Sequence, residues 1–182
     1  GKHLPTEAQY EKAARGPDGD DTPYGKGEVT CDQAVVMNAE GVRSCGVDKA
    51  PPHPEKGRTF EVAQKPAGRY GAHDLVGNAE EWVYDWFSKD YEACGADCLG
   101  TDPRGPCGGA DDCAGHTLKM VKGGSWYWEP MHATGWHRRP HVPNNHPYHH
   151  FGFRCAASLE EGAALTAPPP EPEPAEEPTT SP

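Results

Sequence analysis

Patterned hydrophobicity is confined to a few short stretches of this chain, separated by long polar runs rich in glycine and proline. The first patterned stretch, Leu4 to Gly16, predicts a short helix. Thr6 can cap it with Gln9 three residues on, Lys12 and Arg15 suit its C-terminal end, and Gly16 is placed to stop it. From Pro17 to Tyr70 only Ala34-Val35-Val36-Met37 escapes interruption by Gly, Pro and Asp, so this span reads as loop. The densest pattern follows, from Gly71 to Phe87. Gly77-Asn78 marks a turn, with Asp74 and Glu81 adding side-chain oxygens around it. Trp82, Tyr84 and Trp86 then alternate along one face and are expected to mark the core, because each offers a large apolar area. After a second loop, Ser88 to His116, alternation over Leu118 to Lys122 predicts a strand, with Gly123-Gly124 allowing a bend before Ser125-Trp126-Tyr127-Trp128. Glu129 to Tyr148 is irregular and rich in His, Arg, Trp and Pro. In the last patterned element, Phe151, Phe153 and Cys155 share one face by period two, so Cys155 is expected to be buried. Past Ser158 an acidic, proline-rich tract without aromatic residues offers too little apolar surface to offset its ordering entropy. The expected organisation is one domain over residues 1–158 and a disordered, extended tail over 159–182.

A hydrophobic fraction of 35% with 22 Gly and 20 Pro in 182 residues fits a loop-rich fold. The formal charge of -11 argues against a nucleic-acid partner, since no basic stripe is available to neutralise phosphates. Six glutamates lie after Ser158, so the domain itself carries only about -5. Seven cysteines are many for this size and point to an oxidising, extracytoplasmic compartment, periplasmic or secreted. Cys31 and Cys45 bracket one loop and are expected to pair. Cys94, Cys98, Cys107 and Cys113 lack the tight Cys-x2-Cys knuckle of a zinc site and are expected to form disulfides among themselves, in a pairing the sequence leaves open. No signal peptide or membrane-spanning run is visible, and the start at Gly1 without Met suggests that an N-terminal part has been removed or lost.

The candidate chemistry is of three kinds. Asp74, Asn78 and Glu81 surround a turn with oxygens of the sort hard cations take, although Asn78 can equally hold the turn while Glu81 pairs with an arginine. His132, His137, His141, His146, His149 and His150 crowd the region after Gly124, but no His-x3-His lies on a clear helix, so surface histidines are the better reading. Arg138, Arg139 and Arg154 with Trp126, Tyr127, Trp128 and Trp136 form a cationic, aromatic set that can line a groove for a peptide or a sugar. A core ion pair for Arg154 and simple packing of the indoles explain the same residues. No Ser-His-Asp arrangement, phosphate loop or paired-carboxylate signature stands out.

The order of these pieces resembles the formylglycine-generating enzyme (sulfatase-modifying factor) family. The matching stretches are Leu4-Pro5-Thr6-Glu7-Ala8 to Lys12-Ala13-Ala14-Arg15-Gly16, Asp74-Leu75-Val76-Gly77-Asn78-Ala79 with Glu81-Trp82-Val83 and Asp85-Trp86, Asp102-Pro103-Arg104-Gly105-Pro106, Gly123-Gly124-Ser125-Trp126, and Gly152-Phe153-Arg154-Cys155. The resemblance implies an α+β fold, the family's variant of the C-type-lectin-like fold, with little regular secondary structure. It implies a structural calcium held by Asn78 and Glu81 with the carbonyls of Gly77 and Ala79, and a second calcium near Asn38 and Ala39. Trp82 and Ser125 align with residues that line the family's pocket, and with the cationic, aromatic set the expected pocket is Trp82, Ser125, Trp126, Trp128, Arg138 and Arg154.

Two departures from the family shape the functional expectation. The first strands, which precede the Leu-Pro-Thr-Glu helix in the family, have no counterpart here, so the chain looks like the C-terminal portion of a domain. The family's two copper-binding cysteines align with Trp128 and Ala133, so copper is not expected. In the family the cysteine after Gly-Phe-Arg pairs with one in the first helix, where Ala14 stands here, which implies that Cys155 stays reduced. The expectation is an exported binding domain, without oxidase activity, that holds a peptide, glycan or protein in a groove. The alternative is a metal-dependent oxidase that converts a substrate cysteine to formylglycine or performs a related oxidation.

Overall fold

The computed structural model describes residues 1–47, 57–144 and 148–166. Helix α1, Glu7–Arg15, forms where its caps predict it. Gln9 N–H donates to Thr6 Oγ1 and Thr6 N–H to Gln9 Oε1, both at 3.1 Å, and Gly16 ends the helix with a positive φ. A four-stranded sheet carries the rest: β1 Glu80–Trp86, β2 Lys119–Lys122, β3 Arg139–His141 and β4 Phe151–Phe153, in the order β3-β2-β1-β4. Strands β1 and β2 pair antiparallel with Trp82 opposite Val121, β2 and β3 antiparallel with Val121 opposite Arg139, and β1 and β4 parallel with Glu80 opposite Phe151. A one-turn helix, α2 (Tyr91–Cys94), opens the loop between β1 and β2. The described residues are therefore mixed α and β, with few helices, one small sheet and much loop.

Strand alternation gives this sheet two unlike faces. Met120 and Val83 on one face pack with Tyr10 and Ala14 of α1 and with Leu75 in the buried core. Glu81, Asp85, Lys122 and Arg138 meet α1 and its surroundings on that side. Asp85 Oδ2 accepts the Glu7 N–H at 2.7 Å, and Lys122 Nζ lies 3.6 Å from Glu7 and 3.4 Å from Glu11. The opposite face carries Glu80, Trp82, Lys119, Arg139, His141 and Phe151. A second cluster, Val29, Ala34, Val36, Val76 and Ala133, packs the long loop against the segment after β2.

Three expectations change here. Trp82, Tyr84 and Trp86 do not mark the core: they lie half-buried on the face away from α1, while Val83 between them is 1% exposed. The helix covers the odd-numbered side, and alternation alone could not say which side that would be. Cys155 is exposed and unpaired, and Phe153 is 69% exposed, because β4 is an edge strand on which nothing described packs over those two side chains. Residues 159–166 form a helix, α3 (Leu159–Thr166), where an extended tail was expected. Ser158 and Glu161 cap it reciprocally, a Ser-x-x-Glu signal that was present in the sequence. The remaining tail, 167–182, lies outside the described residues, as does His146.

The disulfides follow expectation and settle the open pairing: Cys31 with Cys45, Cys94 with Cys98, and Cys107 with Cys113. Among the described residues no helix is long and apolar enough to cross a membrane.

Candidate functional site

The segment after β2 is fixed by backbone bonds before any of its side chains act. Gly123 and Gly124 both take positive φ, and a Cβ on Gly124 would sit 2.6 Å from the His132 carbonyl oxygen, so only glycine lets the chain turn back on itself there. Trp126 N–H then donates to the Asn78 carbonyl at 3.1 Å, and the carbonyls of Trp126 and Trp128 accept from Ser44 and Met37 at 2.9 Å. A turn closed by the Trp128 N–H donating to the Ser125 carbonyl at 3.2 Å does the rest. Ser125 and Trp126 point inward, 0% and 2% exposed, whereas Tyr127 and Trp128 are half-buried and reach the aromatic face of the sheet.

On that face Tyr127, Trp128, His132, His137, His141, His149, His150, Trp82 and Phe151 form a continuous belt. Trp82 meets His141 and Phe151 edge-on at 5.9 and 5.4 Å, and Tyr127 stacks on His150 at 5.2 Å. Arg139 lies 4.5 Å over Trp128 and binds the buried Glu80 through Nη1, at 3.0 Å to each oxygen. Burial raises the Glu80 carboxyl from its ordinary value and Arg139 opposes the rise. Burial and the neighbouring His149 and Arg139 hold His150 down to about 4, and burial beside His132 does the same for His137. Both imidazoles are therefore neutral near pH 7.

The expected pocket residues divide between the two faces. Trp82 and Trp128 are in the belt, and Ser125 and Trp126 form its buried backing. Arg138 is not there: it forks onto Glu7 at 2.6 and 3.0 Å and stacks 4.9 Å from Tyr91, on the α1 side. Its neighbour Arg139 takes the place instead. The parity of β3 decides this, and the strand was invisible in a stretch that reads as irregular. Arg154 is also on the α1 side, held bidentate by Glu81 and by the His73 and Asp74 carbonyls at 3.1 Å. Arg139 stood in the cationic, aromatic set read from the sequence, whereas Arg43 and Glu80 were in neither that set nor the implied pocket.

The same contacts test the ions the family implies. Both Glu81 oxygens face the Arg154 guanidinium, and Asn78 Oδ1 accepts the Phe60 N–H at 2.8 Å while its Nδ2 donates to the Phe60 carbonyl. A second cation beside a bidentate guanidinium meets repulsion, so the set Gly77, Asn78, Ala79 and Glu81 does not fit calcium in this arrangement. Asn38 likewise spends Oδ1 on the Val42 N–H, at 2.8 Å. No group of three or more His, Cys, Asp or Glu positioned for a metal occurs among the described residues. Copper fits no better: Ala133 is 0% exposed and packed among aliphatic side chains, Trp128 offers no thiolate, and six of the seven cysteines are in disulfides.

Comparison with known proteins agrees with this architecture. The family described as Sulfatase-modifying factor enzyme 1-like domain matches residues 1–159. The formylglycine-generating enzyme of Thermomonospora curvata is 34% identical over 167 residues, covering 86% of this chain and 50% of that protein. The formylglycine-generating enzyme of Streptomyces coelicolor is 30% identical, covering 90% and 50%. Among solved structures, Treponema denticola variable protein 1 superposes with a TM-score of 0.61 at 26% identity, over 85% of this chain and 47% of that one. PvdO from Pseudomonas aeruginosa shares the fold with a TM-score of 0.55 at 22% identity, over 78% and 47%. The chain thus spans about half the length of these relatives.

Proposed function

Because the chain belongs to the sulfatase-modifying factor enzyme 1-like domain family, we propose that it is an exported member that keeps the family's fold for binding and has lost its cysteine oxidation. One observation carries this reading. Ala133, at a position where the resemblance places a copper cysteine, is fully buried against Val29, Ala34, Val36 and Val76, so the site is packed with hydrocarbon. Oxidising a thiol with molecular oxygen needs a redox centre, and the soft Cu(I) ion is held by thiolates that Trp128 and Ala133 cannot supply. Trp128 instead adds an indole to a half-exposed aromatic surface, where a peptide, glycan or protein finds apolar faces beside cationic donors. Three disulfides support an oxidising, extracytoplasmic setting for such a domain.

The test is incubation of the chain with copper, oxygen and a sulfatase-type cysteine peptide, read by mass spectrometry. The expected result is unmodified peptide. Appearance of the aldehyde would refute the non-catalytic reading and restore the oxidase alternative.

A further inference from the structure

Two successive aromatic residues, Tyr127 and Trp128, each carry a guanidinium on one ring face. Arg43 Cζ lies 3.5 Å from the Tyr127 centroid, Arg139 Cζ lies 4.5 Å from that of Trp128, and the two rings meet edge-on at 4.9 Å. A guanidinium laid against an aromatic face keeps its N–H fork in its own plane, the geometry that takes a carboxylate bidentate. Arg139 commits only Nη1 to Glu80, and the Arg43 guanidinium makes no hydrogen bond or ion pair with a described residue. His150 lies against both rings, stacked on Tyr127 and 6.2 Å from Trp128. It is 8% exposed, and its two ring nitrogens are buried without a hydrogen-bond partner. Burial is the main cause that holds its imidazole down, and the charges of Arg139 and Arg43 add to it, so two cations converge on this strip in a chain of net charge -11. Glu80, 3.8 Å from the His150 ring, is already matched by Arg139.

We propose that this strip binds an acidic peptide segment, whose carboxylates are taken by Arg43 and Arg139 while its apolar groups lie on Tyr127 and Trp128. The inference rests on the binding-domain reading and names the ligand chemistry for it. Planar forks on aromatic rings favour carboxylates, and Trp82 and Phe151 extend the apolar surface that a peptide's side chains cover. The net charge of the chain opposes approach, so affinity comes from contact at the two guanidiniums and not from steering.

The experiment measures fluorescence anisotropy of a labelled glutamate-proline repeat peptide with the full chain at low ionic strength, beside a glutamine-proline control and a heparin-derived oligosaccharide. The glutamate peptide is expected to bind at least ~10-fold tighter than the glutamine control. Arg43→Gln is expected to weaken binding roughly 3- to 10-fold, with melting unchanged because the Arg43 guanidinium holds no ion pair with a described residue, and Arg43→Lys to recover only part of the loss. Arg139→Gln should act in the same direction, but Arg43 carries the test because Arg139 also neutralises buried Glu80. Absence of glutamate-peptide binding, equal binding of the glutamine control, indifference to Arg43→Gln, or tighter binding of the oligosaccharide through the same residues would each overturn the proposal. Loss of peptide binding without aldehyde formation removes this ligand alone, whereas aldehyde formation removes the binding-domain reading.

Discussion

At Asp85, burial followed by the charge of Glu7 pushes the carboxyl up to about 6, above its ordinary 3.8, although the Glu7 N–H opposes the shift. A raised carboxyl contributes stability that is present below pH 3.8 and lost as pH rises through 6. His137 and His150 act in the opposite direction. Their imidazoles are held to about 4 against an ordinary 6.5, so their contribution is present above 6.5 and lost as pH falls through 4. The Glu80 and Glu81 carboxyls are raised as well, so acidification from pH 6.5 to 4 removes the contribution of the two imidazoles while these three carboxyls gain. His137→Gln or His150→Gln should therefore raise the melting temperature at pH 4 relative to that at pH 6.5, and Asp85→Asn should lower it by removing one of the groups that gain on acidification. Melting curves across this range at fixed ionic strength check all three, and a pH dependence left unchanged by both histidine variants would contradict the assignment.

Between elements, the bond that ties β1 to β4 and to the Asp74 turn runs through one ion pair. Arg154 follows β4, Glu81 is on β1, and the same guanidinium also donates to the His73 and Asp74 carbonyls. Burial raises the Glu81 carboxyl while Arg154 lowers it, and the Tyr10 phenol beside them is pushed well up by its burial. Removing one partner leaves a buried charge uncompensated. Glu81→Ala should therefore cost about 3 to 5 kcal/mol in denaturant unfolding, while Thr6→Ala at the cap of α1 should cost only about 1 kcal/mol. A Glu81→Ala loss no larger than that of the cap would mean that the pair is dispensable.

Across the whole molecule, a sheet of short strands leaves long loops to be closed covalently. The Cys31–Cys45 bridge closes a separation of 14 residues over the second core cluster, and a closed loop of that size is worth about 3 kcal/mol. Reduction should lower the melting temperature, and Cys31→Ala with Cys45→Ala should reproduce most of that loss; the bridges Cys94–Cys98 and Cys107–Cys113, with separations of 4 and 6, should matter less. Excess chelator should leave melting unchanged, because Asn78 and Glu81 are occupied by Phe60 and Arg154. A drop in melting on chelation, reversed by added calcium, would show that those contacts yield to an ion.

Local chemistry made part of this protein legible. The Thr6 and Gln9 box, the Gly16 stop, the Gly123-Gly124 bend and the Cys31–Cys45 bridge each depend on residues near one another in sequence, and the structure has all of them. The ordered matches from Leu4 to Cys155 likewise identify the family. Which face each alternating stretch buries was not legible, since period two defines two faces and leaves the choice to whatever packs on one of them. In β1 that partner is α1, more than sixty residues earlier: Tyr10 and Ala14 bury Val83 and leave Trp82 to the open face. The same choice carried through β2 to β3 sends Arg138 to Glu7 and Arg139 to Trp128, so the site's own arginine was fixed by tertiary packing that no local pattern records.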